Sequence, residues 1–476
     1  MKKGLALSIF TILFGNPVFP KEQPLSLKDA ISIALTNNQF LKENQKSLEI
    51  ARLNLISAKK EYRPKIGLES KEERGETIDS FSSSFEKYTI SLGYNWPLLT
   101  PTSGRFTSLS EYNISKLSDK DPFTPIFSSN PKIGIIWKQP LSKGGRLNER
   151  LTLTEKEEDY ELGKISYSQS KKGLILNCII SYFNLLKAFK KREYAEKQMD
   201  LTQKLLTLTN TKLKAGEISE LDVMNVKIRL AKDEDTLIQA KEEERNKQRE
   251  LSRILGFDEE TRFLLTEEPV IVKESETTYL DKMEDILKFR DEIRVFKMKL
   301  EKAKRDILIA KSINKPILTL EGNYTLTKEG ETIKESLKKF PKKAWAIGCK
   351  ISWPFFDSGQ TANYVKKAYL NYEMLNEKLQ ELKKDIKEEV LRIENDLQRD
   401  IRRINLLSLN LKNLEEVSRI TQLKYEMGMV SLKELLEAQM TTFEGTDSLL
   451  EAKIDYVINK AKLSLACGRI EEEYVK

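Results

Sequence analysis

The sequence predicts a mainly α-helical protein with a β-barrel part, built from two repeats of a single arrangement. Two long tracts, residues 141–268 and 355–476, contain none of the 14 prolines, and the prolines elsewhere flank short windows of alternating polar and apolar residues. Proline costs about 3 kcal/mol inside a helix, so proline-free tracts of this length favour continuous helix. The alternating windows favour strands. Each half then consists of a helix, strands, a long helix, a glycine break and a second helix.

Composition excludes several classes of function. The chain has 476 residues, 39% of them hydrophobic and 32% charged, and its net charge of +8 comes from 81 basic and 73 acidic residues spread along the sequence. Without a basic block interleaved with aromatics, nucleic-acid binding is disfavoured. The absence of histidine removes histidine-based catalysis and most zinc and copper sites, and the three cysteines form no CxxC pair. We therefore predict no enzymatic activity, no cofactor and no metal site, and we expect Cys178, Cys349 and Cys467 to be buried.

The N-terminus has the pattern of a secretory signal. Lys2 and Lys3 precede an apolar run of about eleven residues, which is too short to span a bilayer and is followed by helix breakers. We expect residues 1–20 to be removed by cleavage near Pro20, although the cleavage site itself stays open. The rest of the chain contains no apolar run long enough for a transmembrane helix, so the mature protein is predicted to be exported.

The two long helices have the clearest pattern. Residues 146–214 and 360–427 carry apolar residues at spacings of three and four, as one face of a helix requires. At about 1.5 Å per residue, each helix would be about 100 Å long. Helices of this kind bury only a stripe of their surface, which agrees with the polar composition.

Four windows have the pattern of strands, with apolar residues on one face and polar residues on the other. In one of them Ile90, Leu92 and Tyr94 alternate with polar neighbours. A soluble sandwich with one buried face is one interpretation, but strands of about ten residues with aromatics at their ends are also typical of a membrane barrel. A four-stranded sheet cannot close on itself, so several chains are predicted to pool their strands. The candidate membrane-interface aromatics are Trp96, Trp137, Trp345 and Trp353.

Each half also runs a strand into a proline, crosses a glycine and then begins a long helix. Proline ends strand pairing because it has no N–H to donate, and glycine permits a sharp change of direction. The predicted strand-to-helix junction residues are Pro140, Gly144, Gly145, Pro354 and Gly359.

Two internal matches define the repeat. Pro64 matches Pro316 at an offset of 252 residues, whereas Gly216 matches Gly428 at an offset of 212. The first half therefore carries about 40 extra residues in its strand region. Residues 98–130 have a suitable size, and they form either a long external loop or an extra hairpin, so the number of strands stays open.

The motifs, taken in order, resemble those of the TolC-type outer membrane factors, the exit ducts of Gram-negative efflux pumps and type I secretion systems. The stretches that carry the resemblance are LSLKDAISIALTNN (25–38), AKKEYRPKIGL (58–68), QPLSKGGR (139–146), WPFFDSGQ (353–360), YEMGMVSLKELLEAQ (425–439) and ACG (466–468). The resemblance implies a homotrimer with about four transmembrane strands per protomer, which together close a twelve-stranded barrel above a periplasmic tunnel of long antiparallel α-helices. It also implies outer-membrane localisation with a large periplasmic part, contact with outer-membrane lipid, and two partners, a periplasmic adaptor and an inner-membrane transporter.

The repeat and the resemblance together give the expected segments. They are a signal peptide (1–20), an N-terminal helix (21–63), transmembrane strands with a long insertion (64–143), long tunnel helices (144–265), an inter-repeat linker (266–285), the first helix of the second repeat (286–315), its transmembrane strands (316–358), its tunnel helices (359–468) and a tail (469–476).

The glycine breaks carry the candidate functional residues. At each break a serine stands three residues before an acid, Ser219 before Asp222 and Ser431 before Glu434, which is the pattern of a helix cap. By the resemblance, acids at these positions line a closed periplasmic mouth, and the two roles are compatible. The arginine that helps to hold such a mouth shut in the family is replaced by Val430. The predicted constriction residues are Asp222, Tyr425, Glu434 and Glu437, and the predicted tip residues are Gly216, Ser219, Gly428 and Ser431.

Two functions compete. The first is a passive trimeric exit duct of the outer membrane, gated at its periplasmic end. The second is a periplasmic coiled-coil adaptor or scaffold without a pore, which explains the helices and the signal sequence but not the amphipathic strands. The sequence names neither the transported substrate nor the particular pump and adaptor.

Overall fold

A computed structural model gives the fold of most of the chain. The described residues are 23–78, 82–98, 104–118, 127–141, 145–216, 218–258, 261–269, 271, 283–328, 330, 332–338 and 342–475. The predicted signal peptide and Gly144 lie outside the described residues.

The secondary structure alternates long helices with a group of strands in each half. The helices are α1 (Leu27–Asn37), α2 (Gln39–Lys60), α3 (Gly145–Lys214), α4 (Glu220–Leu255), α5 (Met283–Phe289), α6 (Asp291–Ser312), α7 (Ile333–Lys338), α8 (Gln360–Glu426), α9 (Leu432–Ala466) and α10 (Ile470–Tyr474). The strands are β1 (Gln23–Leu25), β2 (Lys65–Ile78), β3 (Ser82–Pro97), β4 (Arg105–Ser118), β5 (Phe127–Pro140), β6 (Phe263–Leu265), β7 (Ile317–Thr327) and β8 (Lys342–Ser352). Among the described residues, no helix combines the length and the apolar composition needed to cross a membrane.

The two long helices are confirmed, with 70 residues in α3 and 67 residues in α8. The helices that precede the strands are more divided than the sequence predicts. The N-terminal helix is split into α1 and α2 because the Asn38 side chain accepts a hydrogen bond from the Leu41 N–H at 3.1 Å and so caps α2. The first helix of the second repeat is split between Phe289 and Asp291, and the predicted tail contains α10, whose Ile470 is fully buried.

The described chain forms two compact units that each draw on both repeats. The first unit contains the chain up to Asn44, Ser168–Arg290 and Lys384–Lys476. The second unit contains Gln45–Tyr167 and Asp291–Lys383. The helix breaks belong to the first unit and the large sheet belongs to the second.

The core of the first unit lies along the middle of α3. Ile175, Cys178, Ile179 and Tyr182 follow one another at helical spacing and are completely buried. Strands β1 and β6 pair in parallel, and the Tyr182 hydroxyl donates a hydrogen bond of 2.9 Å to the carbonyl of Leu25 in β1. This tyrosine therefore ties the short sheet to the helical core.

The second unit contains a six-stranded sheet in the order β2-β3-β4-β5-β7-β8, with all neighbours antiparallel. The expectation of about four strands is therefore corrected to six strands in this sheet. The four predicted windows correspond to β3, β5, β7 and β8, whereas β2 was not predicted and β4 lies within residues 98–130, for which the sequence left a loop or an extra hairpin open. Strand β2 is rich in lysine and glutamate and β4 in serine, so neither shows the clean alternation on which strand prediction relies.

The sheet also corrects the prediction for one cysteine. Cys178 and Cys467 are buried as expected, but Cys349 is exposed. It lies in β8, an edge strand in which every residue is exposed within the single chain. Burial raises the pKa of the Cys178 thiol to about 12 and that of the Cys467 thiol to about 11, so both resist thiol reagents.

Candidate functional site at the two helix breaks

The first break joins α3 to α4. Helix α3 ends at Lys214, Gly216 takes a left-handed conformation with φ of 76°, and Ser219 becomes the N-cap of α4. The Asp222 N–H donates to the Ser219 hydroxyl oxygen at 3.3 Å, and the Asp222 carboxylate accepts from the Ser219 N–H at 3.1 Å. This is the reciprocal capping box that the sequence pattern indicates.

The second break, between α8 and α9, has the same left-handed glycine and serine N-cap. Gly428 has φ of 73°, and Ser431 is the N-cap of α9. The Glu434 N–H donates to the Ser431 hydroxyl oxygen at 3.3 Å, and the Glu434 carboxylate accepts from the Ser431 hydroxyl at 3.1 Å. Asp222 therefore completes a reciprocal capping box, whereas the Glu434 carboxylate contacts the hydroxyl of the capping serine. The place of both acids at a pore constriction stays a prediction.

An apolar cluster holds the ends of three helices together at the breaks. It contains Leu205 of α3, Tyr425 of α8 and Leu435 of α9, all buried, with Val430 packed beside them. Val430 replaces the arginine that the resemblance leads one to expect, so at this position the chain uses apolar packing. The remaining partly buried members of the cluster are Leu432 and Leu436.

Two charged residues also act on Tyr425. The Lys212 ammonium lies 4.8 Å from the centroid of the Tyr425 ring, within the range of a cation–π contact. Burial raises the pKa of the Tyr425 hydroxyl, and the negative charge of Asp222 raises it further. The phenol therefore stays neutral in water near neutral pH, and Lys212 is a functional candidate that the sequence reasoning missed.

Helices α4 and α9 border a groove of about 540 Å³ next to the breaks. The structure brings the predicted residues Asp222 and Glu437 together on the walls of this groove, whereas Glu434 is not among its lining residues. Cations also line the groove, and Lys433 pairs with Glu437 at 3.7 Å. The other basic lining residues are Arg229 and Lys232.

A buried polar contact behind the groove was also missed by sequence reasoning. Asp233 is 4% exposed; its carboxylate lies 3.0 Å from the Arg229 Nε and accepts a hydrogen bond of 2.6 Å from the Thr202 hydroxyl. These contacts join α3 to α4. The i,i+4 spacing of Arg229 and Asp233 is a signal that the sequence contained, but the partner in α3 could only come from the fold.

The strand-to-helix junctions follow the predicted pattern in outline. Strand β5 ends at Pro140 and α3 begins at Gly145. After β8, Pro354 precedes Gly359, which has φ of 84°, and α8 begins one residue later. Asp357 was not predicted; its carboxylate accepts from the Gly359 N–H at 3.1 Å and from the Thr361 N–H at 2.9 Å, which caps α8.

The four tryptophans lie in or directly after the strands of the large sheet, and all are exposed within the single chain. Trp96 and Trp137 both lie opposite Phe106, so they share one face and one row of the sheet. Trp345 lies opposite Tyr324 toward the start of β8, and Trp353 follows the end of that strand. Among the described residues, no group of acidic or cysteine side chains has an arrangement suited to a metal ion.

The left-handed glycines allow a prediction with a matched control. Gly428→Ala is expected to destabilise the break by about 1 kcal/mol, because a side chain at φ of 73° is strained although nothing lies within 4 Å of the new methyl group. Gly173→Ala, in the interior of α3 with equally open space, is expected to stabilise the helix by about 0.5–1 kcal/mol. Hydrogen exchange at the amides around each site measures both effects. A stabilising Gly428→Ala would contradict the left-handed break.

Comparison with known proteins gives a consistent assignment. The family model for the outer membrane efflux protein matches residues 105–257 and 283–469. The chain is 19% identical to the outer membrane protein TolC of Vibrio cholerae over 393 residues, which is 83% of this chain and 86% of the relative. It is 22% identical to the protein of the same name from Escherichia coli over 344 residues, which is 68% of this chain and 66% of the relative.

Solved structures with the same fold include two outer-membrane proteins. The Campylobacter jejuni CmeC outer membrane channel superposes with a TM-score of 0.71 at 17% identity, covering 94% of this chain and 89% of that one. The Vibrio cholerae outer membrane protein VceC gives a TM-score of 0.69 at 15% identity, covering 93% and 96%. At this level of identity the superpositions establish the fold alone. Because the family model spans most of the sequence, the chain belongs to the outer membrane efflux protein family, and the predicted TolC-type resemblance and outer-membrane localisation are confirmed.

Proposed function

We propose that three copies of this outer-membrane efflux channel form a passive exit duct of a tripartite efflux pump or a type I secretion system, closed at its periplasmic end by the helix breaks. The observation that carries this proposal is the cluster around Tyr425. It packs the ends of α3, α8 and α9 together, beside the two cap acids. A small set of apolar contacts at a helix break is an element that a partner protein can separate without unfolding the rest of the chain.

The large sheet supports association between copies. Strands β2 and β8 are its two edges in the described chain, and each is hydrogen-bonded on one side. Unpaired edges cannot stay exposed in hydrocarbon, so edges of neighbouring copies must pair and close a barrel. A trimer is the assembly that the resemblance implies.

The acids beside the cluster suit a cation-attracting mouth. Glu434 and Glu437 are exposed one helical turn apart, and Asp222 is half-buried. Three chains would contribute nine such carboxylates around one aperture, and acidic rings favour cations over anions. The contact of Glu437 with Lys433 offsets part of this charge, so we expect modest rather than strict cation selectivity.

The partners follow from the proposed role. A duct without a nucleotide-binding or catalytic site needs an inner-membrane transporter to supply energy and a periplasmic adaptor to connect the two. The absence of enzymatic activity stays a prediction, and the cargo can be small molecules, ions or proteins.

The alternative of a periplasmic scaffold without a pore is disfavoured by the sheet. The role of a periplasmic scaffold does not account for a wide sheet with exposed tryptophan, isoleucine and leucine on one face. Fractionation separates the two functions. If the protein is a duct, we expect it to stay in the outer membrane until detergent is added. After chemical cross-linking, we expect it to migrate as a trimer. Recovery as a soluble periplasmic protein would favour the scaffold.

A further inference from the structure

The first half of the chain contains one hairpin more than the second half. Strand β2 follows Pro64 as β7 follows Pro316, and β5 ends at Pro140 shortly before α3 as β8 ends shortly before α8. Among the residues that the structure describes, strands β3 and β4 therefore have no counterpart in the second repeat. They form an inserted hairpin between β2 and β5.

The apolar residues of this hairpin continue a band that crosses the whole sheet. Residues that lie directly opposite each other in antiparallel strands share a face. One row passes from Ile66 of β2 through Tyr94, Ser108 and Ile135 to Tyr324 and Trp345. The next row passes from Leu68 through Leu92, Ser110 and Ile133 to Leu326 and Lys343.

The contribution of β3 to this face is strongly apolar and has the length of a membrane crossing. It contains Tyr88, Ile90, Leu92, Tyr94 and Trp96. The nine positions from Tyr88 to Trp96 extend about 27 Å along the strand. This length is close to the apolar band of about 25 Å in membrane barrels. Exposure of Ile90, Leu92 and Trp96 in the single chain is between 42% and 51%, so about half of each residue is open to a neighbouring phase.

The face of strand β4 is less apolar, but its apolar stretch ends at the same level as that of β3. It presents Phe106, Tyr112 and Ile114 on the same face, with Ser108 and Ser110 between them. Within β3 and β4, charged residues appear on this face only beyond the Tyr88 row, where Glu86 lies opposite Lys116. The apolar band of the hairpin thus ends at the same level on both strands.

The opposite face of the hairpin is mainly polar. Thr89, Ser91 and Asn95 of β3 lie there, and the Thr89 hydroxyl donates to the Asn113 side-chain oxygen of β4 at 2.7 Å. Glu111 lies opposite Ser91 on this face. A polar face backed by an apolar face is the arrangement of a strand with water on one side and lipid on the other.

We propose that the inserted hairpin β3–β4 spans the outer membrane and binds the hydrocarbon of the bilayer with its Tyr88–Trp96 face, in continuity with the other four strands. Residues 104–118 of the predicted insertion are then a membrane strand and not part of an external loop. This rests on the duct proposed above. Three such chains would supply eighteen strands instead of twelve, a number at which barrels leave a wide aqueous channel.

The chain offers an internal reference for testing the hairpin by thiol labelling. Cys349 of β8 lies on the apolar face, opposite Leu320, whereas its neighbour Lys350 lies on the polar face. Cys178 and Cys467 are buried and do not compete for the reagent. In a Cys349→Ala background, Leu92→Cys places a probe on the apolar face of β3, Ser91→Cys places one on its polar face, and Lys350→Cys is the polar reference in β8.

The measurement is the rate of reaction with a charged, membrane-impermeant maleimide in proteoliposomes of defined phospholipid, with circular dichroism as the control for folding. We expect Leu92→Cys to react at least tenfold more slowly than Ser91→Cys. Native Cys349 is expected to react more slowly than Lys350→Cys by a similar factor. The proposal is overturned if both β3 probes react as fast as Lys350→Cys while Cys349 stays protected, since the hairpin then lies in water and the duct survives. If Cys349 also reacts as fast as Lys350→Cys, the sheet is not in the membrane, and the duct and the hairpin proposal fail together.

Discussion

Tyr425→Ala is expected to loosen the helix breaks and to increase the ion current through the duct severalfold. The ring is 8% exposed and packs against Leu205 and Leu435, and truncation of a buried aromatic side chain to alanine typically costs about 3–5 kcal/mol. The Lys212 ammonium also loses its aromatic partner. A local loss of about 3 kcal/mol corresponds to a more than hundredfold faster opening of the amides near the breaks, which hydrogen exchange measures.

Tyr425→Phe is the matched control. It keeps the ring, its packing and the contact with Lys212, and removes only the hydroxyl whose pKa is raised by burial and by Asp222. Protection and current close to those of the wild type are therefore expected. If Tyr425→Phe opens the breaks as much as Tyr425→Ala, a polar contact of the hydroxyl, and not the apolar cluster, holds them closed.

Tyr182→Ala is expected to produce the largest loss of stability in the first unit. The side chain is completely buried, and its hydroxyl donates to the Leu25 carbonyl at 2.9 Å and accepts from the Glu267 N–H at 3.3 Å. The lost packing costs about 3–5 kcal/mol. Removal of the ring leaves a cavity and should free β1 from the core. The amides of β1 and β6 are therefore expected to lose protection from hydrogen exchange by two orders of magnitude or more.

Tyr182→Phe separates the hydrogen bonds from the packing. The Leu25 carbonyl keeps a long contact of 3.4 Å from the Thr266 N–H, so loss of the hydroxyl should cost only about 1 kcal/mol. The measurement is the same exchange experiment. Equal loss of protection in Tyr182→Phe and Tyr182→Ala would contradict the view that burial of the ring is the main contribution.

The long helices and the breaks could be predicted from the sequence because their signals are local. Proline-free tracts determine where helix can continue, and Gly216 and Gly428 followed by Ser-x-x-acid mark where it stops. The capping contacts of Ser219 and Ser431 follow from the same few residues. These features depend on neighbours within about one helical turn.

The strands and the contacts between helices were less accessible to sequence reasoning because their signals are not local. Strand β4 is held by its register against β3 and β5, and its serines hide the alternation. The contact of Lys212 with Tyr425 joins residues more than two hundred positions apart. Cys349 was expected to be buried, although the edge position of its strand leaves it exposed within the single chain.

The most direct test of the gated duct is the single-channel conductance of the purified protein in a planar lipid bilayer. The wild type, the double variant Glu434→Ala/Glu437→Ala and the single variant Glu444→Ala are compared. Glu444 is an exposed acid of α9 two turns beyond Glu437, so it controls for a general loss of charge from the helix. We expect small, cation-selective currents for the wild type and for Glu444→Ala, and larger, less selective currents for the double variant. No current from folded wild-type protein would contradict the duct, and currents unchanged in the double variant would contradict the acidic gate.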